Sequence, residues 1–142
     1  MNARVLHLSD DLAAAVLMAA ARAYPQECCG LIEGIETADG WRALGIHEAA
    51  NVADEPARRF LIDPQVQFDA MRRLRGTENR VIGCFHSHPG LAPEPSATDR
   101  ANAFESDFLW VIAGGSPEGG FTLKAYRVLD EGGFCDVALC EI

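Results

Sequence analysis

The order of apolar and polar positions along the chain predicts three helices interleaved with strands. An alanine-rich run preceded by Ser/Asp capping residues predicts a first helix over about Asp10–Ala23. Asp63 followed by a proline predicts the start of a second helix over about residues 64–75, because proline is favoured at the first helical position. Ser96 predicts the N-cap of a third helix that continues to about Glu105.

Short apolar runs between turn residues predict six or seven strands. Strands that alternate with helices favour an α/β or α+β class, with a mixed sheet between about three helices. Within the second helix, the helical spacing suggests an inward face made of Val66, Phe68, Met71 and Leu74. The predicted strands cover residues 27–34, 41–49, 59–62, 80–86, 107–113, 121–129 and 134–140.

The length and charge of the chain narrow the classes of function. With 142 residues, we expect a single domain over residues 1–142. The net charge of −9 disfavours nucleic acid and anionic membranes as partners, because a phosphate surface repels an acidic protein. Asp10 and Asp11 stand where a signal peptide would be apolar. Five cysteines without a Cys-x-x-Cys pair favour reduced thiols, so we expect a cytoplasmic location.

The candidate chemistry lies in residues 83–99, which hold two histidines, a loop rich in proline, and an aspartate. His86 and His88 are two positions apart on a predicted strand, so they point to the same face, together with Cys84. Asp99 returns from the next helix and adds a carboxylate. Two imidazoles and one carboxylate form the ligand set of a catalytic zinc, with the fourth position left to water. We expect one Zn²⁺ per chain.

A hydrolytic zinc site also needs a carboxylate that takes the proton of the water and returns it. Glu27, Glu33 and Glu48 all lie in or beside predicted strands, and the sequence alone does not choose among them. Cys84 shares the face of the histidines and is either a fourth, soft ligand or a small core residue. Ser96 and Asp99 have the spacing of a capping box, so an ordinary helix start is the simpler interpretation of that pair. If Asp99 binds metal, its carboxylate is not expected to be a full capping partner as well.

Taken together, these residues resemble the signature of the JAMM (MPN-plus) metalloproteases. The pattern is a Glu, then His-x-His, seven residues, Ser, two residues and Asp, and it appears here as Glu27, His86, His88, Ser96 and Asp99. The surrounding sequence resembles the prokaryotic branch: Pro-x-Glu-Cys-Cys-Gly-Leu around the Glu, an Asn after the next strand, and Phe-Leu-Ile-Asp-Pro before the middle helix. The resemblance covers about residues 13–126.

The resemblance implies a fold, an activity and a partner. It implies a mixed sheet related to that of cytidine deaminases, and zinc held by His86, His88 and Asp99. It further implies that Glu27 is the general base and that Ser96 stabilises the oxyanion. The expected reaction is hydrolysis of the peptide or isopeptide bond after the C-terminal glycine of a ubiquitin-like or sulfur-carrier protein with a Gly-Gly tail.

Two other classes of protein fit the sequence less well. Some members of the family bind no metal and serve only as protein-binding scaffolds, but those members lose ligands that this chain keeps. Cytidine deaminases need His-x-Glu and Pro-Cys-x-x-Cys, and both patterns are missing. The sequence leaves open the natural substrate, the leaving group and the oligomeric state, a homodimer included.

Overall fold

The computed structural model describes residues 4–140 and has a mixed α/β architecture of seven strands and three helices, as the sequence predicts. The first helix and the last strand have the predicted bounds, and most other elements differ from prediction by one to three residues. The elements in chain order are β1 (Val5–His7), α1 (Asp10–Ala23), β2 (Cys29–Thr37), β3 (Gly40–Ala49), α2 (Pro64–Leu74), β4 (Arg80–Pro89), α3 (Ala97–Asn102), β5 (Leu109–Ser116), β6 (Gly120–Val128) and β7 (Phe134–Cys140).

The strands form one closed barrel in the order β1-β3-β2-β4-β5-β6-β7. Strand β4 lies between β2, which is antiparallel to it, and β5, which is parallel to it. Residues 82–88 of β4 are therefore buried on both faces. β1 runs parallel to both β3 and β7 and closes the barrel.

The sheet separates two apolar clusters, because successive side chains of a strand point to opposite faces. Phe85 of β4 and Val111 of β5 pack in the cluster that contains Val16 and Ala19 of α1. Their sequence neighbours Cys84 and Trp110 pack in the other cluster, with Ala70 of α2. α1 and α2 thus cover different faces of the barrel wall, and the histidines of β4 lie on the α2 face.

The inward face predicted for α2 is wrong in part. Phe68 and Met71 are 62% and 55% exposed, whereas Ala70 and Leu74 are the buried residues of this helix. Ala70 and Leu74 are four residues apart and therefore lie on the same side of the helix. A prediction based on large apolar side chains misses this side, because alanine is small and only weakly hydrophobic. Two large apolar side chains therefore lie at the surface of α2.

Three other local predictions need correction. Residues 59–62 do not form a strand; a single bridge joins Ile62 to Asn51 within an irregular segment. α3 ends at Asn102, three residues before the predicted end. β1 was not predicted at all, because three residues carry no periodic signal and the strand exists only through its pairing with β3 and β7. Within residues 4–140, no helix has the length and apolar character needed to cross a membrane.

Candidate metal centre

The site lies at the end of β4, where His86 and His88 project from the α2 face of the barrel. Ser87, between them, points to the opposite face and binds the start of β2: its hydroxyl accepts from the Cys28 N–H at 2.8 Å, and its own N–H donates to the Cys28 carbonyl at 3.2 Å. This reciprocal pair fixes residue 27 beside the histidines. The family signature gives Ser87 no role. The sequence signal for one is a hydroxyl residue within a stretch of buried strand, since a buried hydroxyl needs a hydrogen-bond partner.

The imidazoles and the Asp99 carboxylate converge on one point. Oδ2 of Asp99 lies 3.2 Å from Nε2 of His86 and 3.0 Å from Nε2 of His88, and the two Nε2 atoms are 3.1 Å apart. A tetrahedral zinc with bonds of 2.0–2.2 Å separates its ligand atoms by about 3.3 Å. The three donors of this cluster therefore fit a small divalent cation without rearrangement, and all three residues are buried.

The protonation states of His86 and Asp99 also suit a cation. Burial lowers the pKa of His86 and so favours the neutral ring. Burial also lowers the pKa of His88, but the Asp99 carboxylate outweighs this effect and raises that pKa overall. For Asp99, hydrogen bonds from the two rings overcome desolvation and hold the pKa of the carboxyl well below its usual range. An ionised carboxylate and a neutral buried imidazole are the forms that bind metal.

Glu27 provides a second carboxyl beside the cluster. It precedes β2, is only 5% exposed, and its Oε1 has no hydrogen-bond partner within residues 4–140. It offers an oxygen within 4.8 Å of the ligand atoms of His86 and His88, so geometry alone admits it as a ligand too. Burial, however, raises the pKa of Glu27 to about 7, opposed by His88 and assisted by Asp99. Asp99 hydrogen-bonds both rings and is ionised, whereas Glu27 is a carboxyl able to exchange a proton near neutral pH.

Asp99 and Ser96 form a complete capping box at the start of α3. The Ser96 hydroxyl accepts from the Asp99 N–H at 3.0 Å, and the Ser96 N–H donates to Oδ2 of Asp99 at 2.9 Å. The same oxygen faces both the Ser96 N–H and the histidines, so the carboxylate completes the cap while it contacts both imidazoles. The expectation that a metal-bound Asp99 is not a full capping partner stays a prediction. The cap fixes the orientation of the carboxylate, and the Ser96 hydroxyl keeps its proton for another acceptor.

The loop between His88 and Ser96 is fixed by contacts with the barrel. The Tyr126 hydroxyl donates to the Pro93 carbonyl at 2.8 Å. The backbone of residues 91–93 lies directly over Gly114, where an added Cβ would be 2.3 Å from the Pro93 nitrogen. Nδ1 of His88 donates to the Ala92 carbonyl at 3.4 Å, which leaves Nε2 as the atom able to bind metal.

The cysteines do not take part in the cluster. Cys28, Cys29 and Cys84, here called the buried cysteines, are at most 5% exposed, and burial raises the pKa of each thiol, to about 11 for Cys28 and about 12 for Cys29. Cys84 packs with Leu31 and Trp110, so it is a small core residue in this structure and not a thiolate ligand.

Solved structures of other proteins share the fold. The chain is similar to a JAB1/MPN domain protein of Archaeoglobus fulgidus, with a TM-score of 0.55 and 20% identity over 96% of this chain and 97% of that one. A solution structure from Desulfitobacterium hafniense is more similar, with a TM-score of 0.81 and 26% identity over 97% and 94% of the two chains. The fold is that of a JAB/MPN domain.

Sequence comparison places the chain within this class. Residues 9–128 match the family described as prokaryotic homologs of the JAB domain, and the chain belongs to that family. It is 33% identical to a desampylase of Haloferax volcanii over 69% of this chain and 68% of that protein. It is 27% identical to a CysO-cysteine peptidase of Mycobacterium bovis over 89% and 84% of the two chains.

Proposed function

We propose that this protein is a zinc-dependent peptidase or isopeptidase that cleaves the bond after the C-terminal glycine of a ubiquitin-like or sulfur-carrier protein. The observation that carries the proposal is the convergence of His86, His88 and Asp99, whose donor atoms lie 3.0–3.2 Å apart, beside a buried carboxyl with a pKa of about 7. A non-catalytic scaffold would not need to keep Glu27 buried without a partner, so the site favours an enzyme.

In this proposal zinc, when bound, acidifies the attacking water and polarises the substrate carbonyl. His86, His88 and Asp99 hold the ion, and Glu27 accepts the proton of the water at its unpartnered Oε1. Glu27 then gives this proton to the leaving amine, which a carboxyl of pKa about 7 does readily at neutral pH. The Ser96 hydroxyl, whose proton the cap leaves unused, donates to the developing oxyanion.

The relatives support the class of substrate. The names desampylase and CysO-cysteine peptidase both describe release of a group from a carrier protein. A groove of about 390 Å³ is lined by Phe60 and Trp110, which contact His86, and by other apolar side chains that include Leu61 and Phe104. We propose that this groove receives an extended C-terminal tail, which would bring its last peptide bond near the histidines.

Two variants test the assignment of roles. Glu27→Gln should keep zinc and lose cleavage of a carrier protein extended beyond its Gly-Gly, because Glu27 is proposed as base and not as ligand. His88→Ala should lose both zinc and cleavage. Zinc content is measured by elemental analysis and cleavage by intact mass spectrometry. A Glu27→Gln protein that still cleaves the carrier, or a His88→Ala protein with full zinc content, would remove that residue from its proposed role.

A further inference from the structure

His86 differs from His88 in the way its ring is held. Nδ1 of His88 donates to the Ala92 carbonyl, whereas Nδ1 of His86 is buried and has no hydrogen-bond partner within residues 4–140. Histidines that bind metal are almost always oriented by a hydrogen bond from the second ring nitrogen. The His86 ring is therefore held by its Nε2 contact with Asp99 and by the side chains packed against it.

Two aromatic rings enclose His86 and supply that packing. Phe60 stacks on the imidazole with ring centroids 4.3 Å apart and planes inclined by 20°. Trp110 meets the imidazole edge-on at 5.5 Å and also contacts Phe60 at 5.6 Å. Phe60 packs against the face of the imidazole, and Trp110 limits rotation of the imidazole about its side-chain bonds. The aromatic pair Phe60 and Trp110 thus takes the place of a hydrogen bond on Nδ1.

Phe60 itself lies outside any strand, and its position depends on Asn51. The Asn51 side-chain amide donates to the Arg59 carbonyl at 3.0 Å, and its oxygen accepts from the Leu61 N–H at 3.1 Å. These two bonds fix the peptide groups on either side of Phe60. The same amide donates to the Glu27 carbonyl at 3.1 Å, so one side chain joins the Phe60 segment to the residue before β2.

We propose that Asn51 is a positioning residue for His86, acting through Phe60. Asn51 fixes the backbone around Phe60, Phe60 with Trp110 fixes the imidazole, and the imidazole is thereby preorganised to bind metal. This inference rests on the proposed function, because the effect on zinc binding requires that His86 binds zinc. The orientation of His86 can still be measured in the metal-free protein. Loss of either Asn51 or Phe60 should weaken zinc binding by about tenfold or more, the usual effect of removing a group that orients a ligand.

The test combines zinc affinity with a signal from the metal-free protein. The variants are Phe60→Leu, which keeps an apolar side chain but removes the stacked ring, and Asn51→Ala. Phe104→Leu is the matched control, because Phe104 lines the same groove, is 83% exposed and makes no ring contact with His86. Zinc affinity is measured by competition with a chelator, and the His86 ring protons are followed by NMR, which is tractable with four histidines in the chain.

Phe60→Leu and Asn51→Ala should both weaken zinc binding, while Phe104→Leu should not. Asn51→Ala, which keeps the Phe60 ring, should also shift the His86 ring resonances, because the stacked ring moves. The double variant should weaken zinc binding little more than the worse single variant, because both act through one contact. Additive losses would overturn the link from Asn51 to Phe60. Shifted His86 resonances with unchanged zinc affinity would overturn the positioning role.

The two proposals fail in different ways. A wild-type protein that binds no zinc would refute the proposed function, while unshifted His86 resonances in Asn51→Ala would refute the positioning of His86 with or without zinc. If Asn51→Ala does not fold, Phe60→Leu and its control still decide whether the stacked ring orients His86.

Discussion

Replacement of Glu27 by glutamine should stabilise the metal-free protein, and the gain should depend on pH. Glu27 is 5% exposed, Oε1 has no partner, and burial raises the pKa of the carboxyl from 4.5 to about 7. Because the pKa is higher in the folded than in the unfolded state, folding favours the protonated acid, and stability falls as pH rises from 4.5 through 7. At 1.36 kcal/mol per pH unit, the ionised carboxylate costs about 3 kcal/mol at pH 8 and less than about 1 kcal/mol at pH 5.

The assay is denaturant unfolding at pH 5 and pH 8 with a chelator present, for the wild type and for Glu27→Gln. Glutamine has the shape of the neutral acid, so the two proteins should differ by less than about 1 kcal/mol at pH 5, and the variant should be more stable by about 3 kcal/mol at pH 8. Glu94→Gln, at an exposed carboxyl in the loop before α3, is the control and should change stability by less than about 0.5 kcal/mol at either pH. An advantage of Glu27→Gln that does not grow with pH would refute the account of Glu27 as a buried, unpaired carboxyl.

Three further predictions follow from the geometry around the site. Ser96→Ala should lose about 1 kcal/mol of stability, because the cap of α3 is lost, and should lower kcat by about 10²–10³-fold, because the oxyanion donor is lost. Ser9→Ala, at the N-cap of α1, is the control and should cost similar stability without changing kcat. Gly114→Ala should destabilise the fold by about 1–3 kcal/mol and weaken zinc binding, because the new Cβ would displace loop 91–93. Gly45→Ala is the control: no atom lies within 4 Å of its new Cβ, so it should change neither stability nor zinc binding. The buried cysteines should resist iodoacetamide at pH 8 in the native protein and react after denaturation, because their raised pKa values and their burial leave little accessible thiolate. Labelling is measured by mass spectrometry, and rapid labelling of the native protein would contradict this prediction.

Local chemistry made part of the fold predictable. Ser9 caps α1, Asp63 caps α2 with Pro64 at its first turn, and Ser96 caps α3, each as the sequence indicates. Strand alternation correctly separated His86 and His88 from Ser87. These features depend on residues close in sequence, for which spacing and backbone preference are sufficient.

Features that depend on distant partners were missed. β1 needs β3 and β7, and the contact of Phe60 with His86 needs the Asn51 bonds that close a loop of irregular backbone. Spacing also does not reveal that one carboxylate oxygen of Asp99 faces the Ser96 N–H and both imidazoles together. The identity of the candidate site residues came from the family signature, and their roles remain predictions.

Zinc reconstitution of the cleavage reaction tests the central claim most directly. The chelated protein is titrated with zinc and incubated with a carrier protein whose Gly-Gly tail is extended by a short peptide, and the products are weighed by intact mass spectrometry. A zinc peptidase of the proposed kind should show no cleavage without metal, activity that saturates at one zinc per chain, and a product that ends at the second glycine. Cleavage that persists in the chelated protein, or a fully zinc-loaded protein that leaves such carriers intact, would contradict the proposed function.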